Sequence, residues 1–214
     1  MLQLGRELER LRPTIDTGCL FEELDPERVI YEAERRTGHS IGAVTADLDG
    51  TQLPHFADRL SKKSLAVVSG LVELVPFGNM SNAGDAVRDR RARDITADTS
   101  EAVGKEIELV TSFEFNKWLA WLYGKPFRYT FDKMADRLDR PNRRILHLGD
   151  QLFKDSLGAN EAGYAGSVHV ETCAPEDDPS AFRKYAQLPA EEVLLAYFRV
   201  SSLLSGNSRP DVKA

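Results

Sequence analysis

The sequence predicts an α/β fold in which helices cover both faces of a parallel sheet. Strand-like and helical segments alternate along the chain, an order typical of parallel strands joined by helical crossovers. The strand-like segments are short apolar runs, as at 41–46 and 144–148, which is the pattern of strands buried on both faces. Acidic residues follow both runs, at the carboxyl ends of the strands, where such folds bind ligands. We therefore expect a Rossmann-like three-layer sandwich with a parallel central sheet.

Local signals define the elements in chain order. Asp25 followed by Pro26 starts a helix inside a lead-in, residues 1–40, that is otherwise expected to be irregular or helical and packed on the core. The main domain is expected over 41–204, and a flexible tail over 205–214. Within the main domain we expect strands at 41–46, 77–82, 106–113, 144–148 and 167–170, and helices at 56–75, 85–105, 129–138, 155–163 and 190–204.

The composition argues against several classes of protein. The 214 residues carry a net charge of −6 and a pI near 5.3, which argues against a general nucleic-acid binder. Two cysteines, Cys19 and Cys173, do not make a disulfide framework or a thiolate metal site. No apolar run reaches the length of a membrane span, and residues 1–13 lack the apolar segment of a signal peptide. The expected location is the cytoplasm.

The run Asp47-Leu48-Asp49-Gly50-Thr51 directly follows the first buried strand. Two acids crowded at a strand end repel each other unless a cation lies between them. A few hard oxygen ligands, with room for water and a phosphate, describe a Mg²⁺ site. A carboxylate beside that ion can attack phosphorus, and the second can act as acid and base. The alternative is an ordinary turn, because Asp-Gly is common turn chemistry.

A second acidic run, 149–155, follows the strand at 144–148. Asp150 is expected to complete the metal site from that neighbouring strand. Asp155 lies about one helical turn further on and is expected to support the site from outside the ligand set. A helix N-cap is the alternative role for this acid.

Three further residues suit a bound phosphate. Ser81 and Asn82 follow a predicted strand and offer a hydroxyl and backbone N–H groups. Lys125, before Pro126, can place a positive charge against the phosphate. A rival assignment puts the strand at 64–68 with Ser69 as the phosphate serine. We prefer Ser81 because the rival leaves only residues 52–63 for the intervening helix.

Over residues 12–172 the order of these motifs resembles the haloacid dehalogenase (HAD) superfamily of phosphatases. Within it the chain is similar to the YqeG-type subfamily, which includes phosphatidylglycerophosphate phosphatases. That finer similarity rests on the run 149–163, with weaker support from 124–126 and 13–24. The chain departs from the subfamily at 50–52, where Gly-Thr-Gln replaces Asn-Thr-Leu. It departs again in the strand before the serine, which Pro76, Gly78 and Asn79 interrupt.

The resemblance implies roles for the candidate residues. Asp47 is the implied nucleophile, and Asp49 the general acid and base, with its backbone carbonyl on Mg²⁺. Asp150 would complete the metal ligands. The remaining implied roles are phosphate binding by Ser81, Asn82 and Lys125, and support of the site by Thr51 and Asp155.

The implied activity is Mg²⁺-dependent hydrolysis of a phosphomonoester, with phosphatidylglycerophosphate as the expected substrate. The connections around Ser81 are too short for a large cap domain, so the site is expected to be open to a lipid headgroup. A soluble sugar or nucleotide phosphate is the alternative substrate, and a receiver-like or non-catalytic phosphate-binding module the alternative class. We expect Trp118, Trp121 and the final helix to pack in the core, although that helix could also contact a membrane peripherally.

Overall fold

A computed structural model describes residues 8–114, 128–174, 187–204 and 212. Its centre is one sheet of six strands, all parallel to their neighbours. The strands are β1 (Ile15–Leu20), β2 (Ala43–Asp47), β3 (Phe77–Ser81), β4 (Glu108–Thr111), β5 (Ile145–Gly149) and β6 (Gly166–Glu171). The helices are α1 (Pro26–Thr37), α2 (Lys62–Leu74), α3 (Ala86–Val103), α4 (Arg128–Arg137), α5 (Leu157–Ala162) and α6 (Leu188–Leu204).

Two helical layers enclose the sheet. On one face, Val29 and Ala33 of α1 and Leu71 of α2 join a core cluster with alternate residues of the strands, such as Val44. On the other face, helices α4 and α5 pack through a separate cluster that includes Phe131. Because successive strand residues point to opposite faces, each central strand supplies both clusters. The predicted three-layer α/β sandwich is confirmed.

The strand order is β1-β6-β5-β2-β3-β4. The chain therefore builds outward from β2 through β3 and β4 on one side, and through β5 and β6 on the other. The point where the direction reverses lies between β2 and β5, and the carboxyl ends of these strands bound a crevice. Residues 48–76 and 82–107, which the structure describes throughout, each hold one helix and no separate domain. The expected absence of a large cap therefore holds for these two connections.

Three local predictions differ from the structure. The lead-in contains a strand, β1, whose residues alternate between buried and half-buried and which pairs with β6 at the sheet edge. The helix expected from residue 56 begins only at Lys62, because the Ser61 side chain accepts the Ser64 N–H and caps it there. Pro76 does not interrupt a strand, since β3 begins one residue later.

The last helix, α6, packs on the body of the protein, as expected. Leu195 and Phe198 of α6 are buried with Leu11 and Leu152. An ion-pair network adds to this contact: both oxygens of Asp16 accept hydrogen bonds from Arg199, at 2.5 and 3.2 Å. Among the described residues, none of the helices is long and apolar enough to cross a membrane.

One residue of the expected tail is described. Val212 is buried in the core, and its carbonyl accepts the backbone N–H of Asp25 at 2.8 Å. The other residues of 205–214 lie outside the described ones, so the flexible tail stays a prediction.

Candidate active site

The acidic runs of the two central strands meet at the point where the strand order reverses. Asp47 ends β2, Asp150 follows β5, and the strands pair in parallel with Ala46 opposite Leu148. The sheet thus brings together two motifs that lie about 100 residues apart in the sequence.

Three carboxyl groups converge there. Asp47, Asp150 and Asp155 each offer an oxygen within 4.8 Å of the others. The three residues are only 6%, 1% and 1% exposed. Charged groups this close and this poorly solvated repel each other strongly unless a cation lies among them. A buried set of hard oxygen donors fits Mg²⁺, so the residues present suit the ion that the resemblance implies.

Asp155 reaches this cluster through an irregular first helical turn. Residues Leu152–Ser156 form a π-helical turn, and the carboxylate of Asp155 folds back to accept the Gln151 N–H at 3.0 Å. A Cβ on Gly149 would lie 2.2 Å from the carboxyl carbon of Asp155, so only glycine fits beneath it. The sequence predicts a supporting role for Asp155; its carboxylate lies within 4.8 Å of those of Asp47 and Asp150, and its role at the ion stays a prediction.

His147 supports Asp155 from within β5. Its Nε2 lies 3.2 Å from Asp155 Oδ1, and its Nδ1 lies 2.8 Å from the hydroxyl of Thr45. The imidazole is fully buried and packs edge-on against Phe131. Sequence analysis did not single out His147, although its place two residues before Gly149 was a usable signal.

The turn after β2 requires the glycine of the first motif. Gly50 has a φ of +84°, and a Cβ there would lie 2.7 Å from Asp150 Oδ2. Glycine is required on both counts. The next residue, Thr51, donates its hydroxyl to Asp150 Oδ1 at 3.0 Å, so the two motifs are in direct contact.

Two residues that depart from the family pattern form one polar bridge behind Asp47. Gln52 Nε2 donates to the Asp47 carbonyl at 3.0 Å and to Asn79 Oδ1 at 2.8 Å. Asn79, buried in β3, donates in turn to Thr96 of α3. The amide in the strand is therefore satisfied, and it ties β2, β3 and α3 together below the site.

Asp49 lies apart from the three clustered carboxylates. Its side chain is 29% exposed and accepts a hydrogen bond from Arg91 of α3, with Oδ1 at 2.8 Å from Nη1. The resemblance assigns the backbone carbonyl of Asp49, not its side chain, to the metal, and that assignment stays a prediction.

A further buried acid, Glu191 of α6, lies behind the segment that carries Asp150 and Asp155. Its Oε1 accepts the Phe153 N–H at 3.0 Å and the Gln187 amide at 3.1 Å, while its Oε2 is buried without a hydrogen-bond partner. Burial raises the pKa of Glu191, although the bonds from Phe153 and Gln187 act in the opposite direction.

Residues 122–186 match a protein-family model described as HAD-hydrolase-like. The match supports a HAD-like hydrolase domain. It covers less than a third of the chain and includes the whole second motif, 149–155. No curated protein sequence matches the chain.

A similar solved structure is the crystal structure of an uncharacterized protein from Listeria monocytogenes serotype 4b. It is 16% identical, covers 76% of this chain and 99% of its own, and superposes with a TM-score of 0.46.

The residues that the resemblance assigns to phosphate lie partly within the described chain. Ser81 ends β3 and is 4% exposed, one residue beyond Met80, which pairs with Asp47. Ser69 lies inside α2, so the strand at 77–81 is confirmed over the rival strand. Asn82 is half-buried beside Ser81. Lys125, Trp118 and Trp121 lie outside the described residues.

Proposed function

We propose that this protein is a Mg²⁺-dependent phosphomonoester hydrolase that forms an aspartyl phosphate, an acyl phosphate, on Asp47. The observation that carries the proposal is the convergence of Asp47, Asp150 and Asp155, three buried carboxylates, at the crevice between β2 and β5. The HAD-like match over 122–186 supports the hydrolase class independently.

Asp47, Asp150 and Asp155 would hold the ion, together with the backbone carbonyl of Asp49. A bound Mg²⁺ would neutralise the carboxylates and the phosphate, so that one anion can approach another. The hydrogen bond from Thr51 fixes the orientation of Asp150, and that from Gln151 fixes Asp155.

In the first step Asp47 attacks phosphorus, the bond from phosphorus to the ester oxygen breaks, and Asp49 protonates the departing oxygen. In the second step water attacks the same phosphorus while Asp49 takes the proton. Inorganic phosphate leaves and the Asp47 carboxylate is restored. Ser81, Asn82 and Lys125 are assigned to the phosphoryl oxygens.

We propose phosphatidylglycerophosphate as the substrate. The similarity of the run 149–163 to the YqeG-type subfamily supports this choice, and so do the short connections after β2 and β3, which leave room for a headgroup at a membrane surface. Peripheral contact with a membrane is part of this proposal.

The decisive experiment is phosphate release by the purified protein with Mg²⁺. Phosphatidylglycerophosphate in micelles is compared with a panel of soluble sugar and nucleotide phosphates, and the Asp47→Asn variant is the control. Preference for the lipid supports the full proposal. Activity on soluble esters alone keeps the mechanism and rejects the lipid, and no release from any ester rejects the hydrolase.

A further inference from the structure

Arg91 of α3 makes the contact with Asp49 that no motif predicts. Its guanidinium lies between the helix and the loop after β2, and the side chain is only 18% exposed. Nη1 donates to Asp49 Oδ1 at 2.8 Å, while Nε donates to the Ala57 carbonyl at 3.0 Å. Asp58 lies 3.9 Å away but is 93% exposed, so water screens that ion pair.

One guanidinium therefore fixes both ends of the loop from Asp49 to Ala57. The same helix face also holds this loop by apolar contact, because Leu48 and Leu53 pack on Ala92 and Ile95. Arginine suits this position because its planar guanidinium presents several N–H donors in fixed directions, whereas a lysine offers one compact ammonium.

The ion pair also separates two acids that are adjacent in the motif. Asp47 lies with the other metal-site carboxylates, whereas Asp49 points to Arg91. Without a cation of its own, the Asp49 carboxylate would share the positive charge assigned to the metal site. Arg91 supplies that cation from outside the cluster.

We propose that Arg91 is a positioning residue for Asp49, an inference that rests on the proposed hydrolase activity. Arg91 holds Oδ1, so that Oδ2 is the oxygen that gives its proton to the departing ester oxygen and later takes one from water. Arg91 acts through Asp49 and is not assigned a contact with the substrate.

This role has a signature in the leaving group. In an alkyl ester such as phosphatidylglycerophosphate, the leaving group is an alcohol oxygen, which would depart as an unstable alkoxide unless Asp49 gives it a proton. The p-nitrophenyl group of p-nitrophenyl phosphate leaves as a stable anion and does not need that proton. The ratio kcat/KM reports only the steps up to transfer of phosphorus to Asp47, so the second half-reaction does not obscure the difference.

The test compares Arg91→Met and Arg91→Lys with wild type on both esters. Arg88→Met is the matched control, because Arg88 lies one turn earlier on the same helix and is exposed beside Asp85. We expect Arg91→Met to lower kcat/KM on the lipid about 100-fold, in the usual range for lost acid–base catalysis, and on p-nitrophenyl phosphate by less than about threefold. Arg91→Lys should recover part of the loss on the lipid, and Arg88→Met should match wild type.

Equal losses on the two esters would overturn the inference, because a binding or purely structural role does not distinguish leaving groups. Unchanged kinetics on both esters would overturn it as well. If Arg91→Met melts at a lower temperature than Arg88→Met, the kcat/KM values of Arg91→Lys, which keeps the charge, are compared with wild type on the two esters instead. A wild-type protein that releases no phosphate from either ester instead rejects the proposed function.

Discussion

Two acidic groups of the same sheet, one half-buried in the edge strand β1 and one buried in the central strand β2, have opposite surroundings. At the edge, Asp16 of β1 faces Arg199 and lies 3.5 Å from the Nδ1 of His169 on β6. At the centre, Asp47 faces Asp150 and Asp155, two more carboxylates. One acid thus lies beside an arginine and an imidazole, and the other lies beside two further acids.

The contrast distinguishes a carboxylate that stabilises the fold, Asp16, from a carboxylate of the candidate active site, Asp47. Burial tends to raise the pKa of Asp16, but the nearby His169 ring and the hydrogen bonds from Arg199 outweigh it and hold the pKa well below its ordinary 3.8. That carboxylate stabilises the fold by joining α6 to β1. The central cluster also accepts hydrogen bonds, from Thr51 and Gln151, but its three carboxylates lie close enough to repel one another. A fold retains such a cluster where it binds a cation.

The largest expected effect distinguishes the two sites by activity. Asp47→Asn should lower phosphate release on the order of 10⁴-fold or more, because the amide cannot attack phosphorus. In a chelating buffer the same variant should be more stable than wild type by about 1 kcal/mol, since one of three repelling charges is gone. Activity assays and urea unfolding measure the two effects. Asp16→Asn is the control and should keep its activity, and retained activity in Asp47→Asn would remove the nucleophile assignment.

The next effect tests the cluster as a metal site. Mg²⁺ at about 100 times its dissociation constant should stabilise the fold by roughly 2.7 kcal/mol. In a chain of this size that corresponds to a rise in melting temperature of about 5–10 °C. Asp150→Asn should abolish most of the rise, while Asp16→Asn should show the same rise as wild type. An undiminished rise in Asp150→Asn would contradict the site.

A smaller effect tests the edge network. Asp16→Asn should lower the free energy of unfolding at pH 7 by about 1–3 kcal/mol, because it removes charged hydrogen bonds from a half-buried group. The folded-state pKa of Asp16 is depressed, so its contribution is complete above the ordinary value of 3.8 and is lost as the pH falls below it. Urea unfolding of both proteins at several pH values measures the difference. A difference that does not shrink at acid pH would contradict the ion pair.

The smallest effect concerns Glu191 of α6, whose Oε1 accepts the Phe153 N–H. Burial raises the pKa of Glu191 above its ordinary 4.5, so its presence costs stability once the pH exceeds that value, and costs nothing below it. Glu191→Gln should therefore stabilise the protein at pH 7, by less than the effects above, and the gain should vanish near pH 4. Melting curves at the two pH values check this, and a gain of equal size at both would reject the titration.

Much of this architecture could be predicted from the sequence, because the buried central strands and their terminal acids are local signals. Strand β1 was missed since Asp16 and Gly18 break its apolar pattern, and only the alternation of Ile15, Thr17 and Cys19 indicates it. A strand that pairs on one side depends on its neighbour more than on its own composition.

Only part of the site could be predicted from the sequence. Asp47 and Asp150 follow from strand ends, whereas the place of Asp155 depends on a π-helical turn that regular helical spacing does not reveal. Arg91 lies 42 residues from Asp49, and only the packing of α3 on the loop brings the two together.

The hydrogen bond between Thr51 and Asp150 joins residues 99 positions apart, across the pairing of β2 with β5. Closing so long a loop costs entropy before any contact repays it, and such non-local pairings slow folding. Neither motif alone holds more than part of the donor set. The ability to bind the ion therefore arises only after the middle of the sheet has closed, and a nascent chain that ends before β5 has none of it.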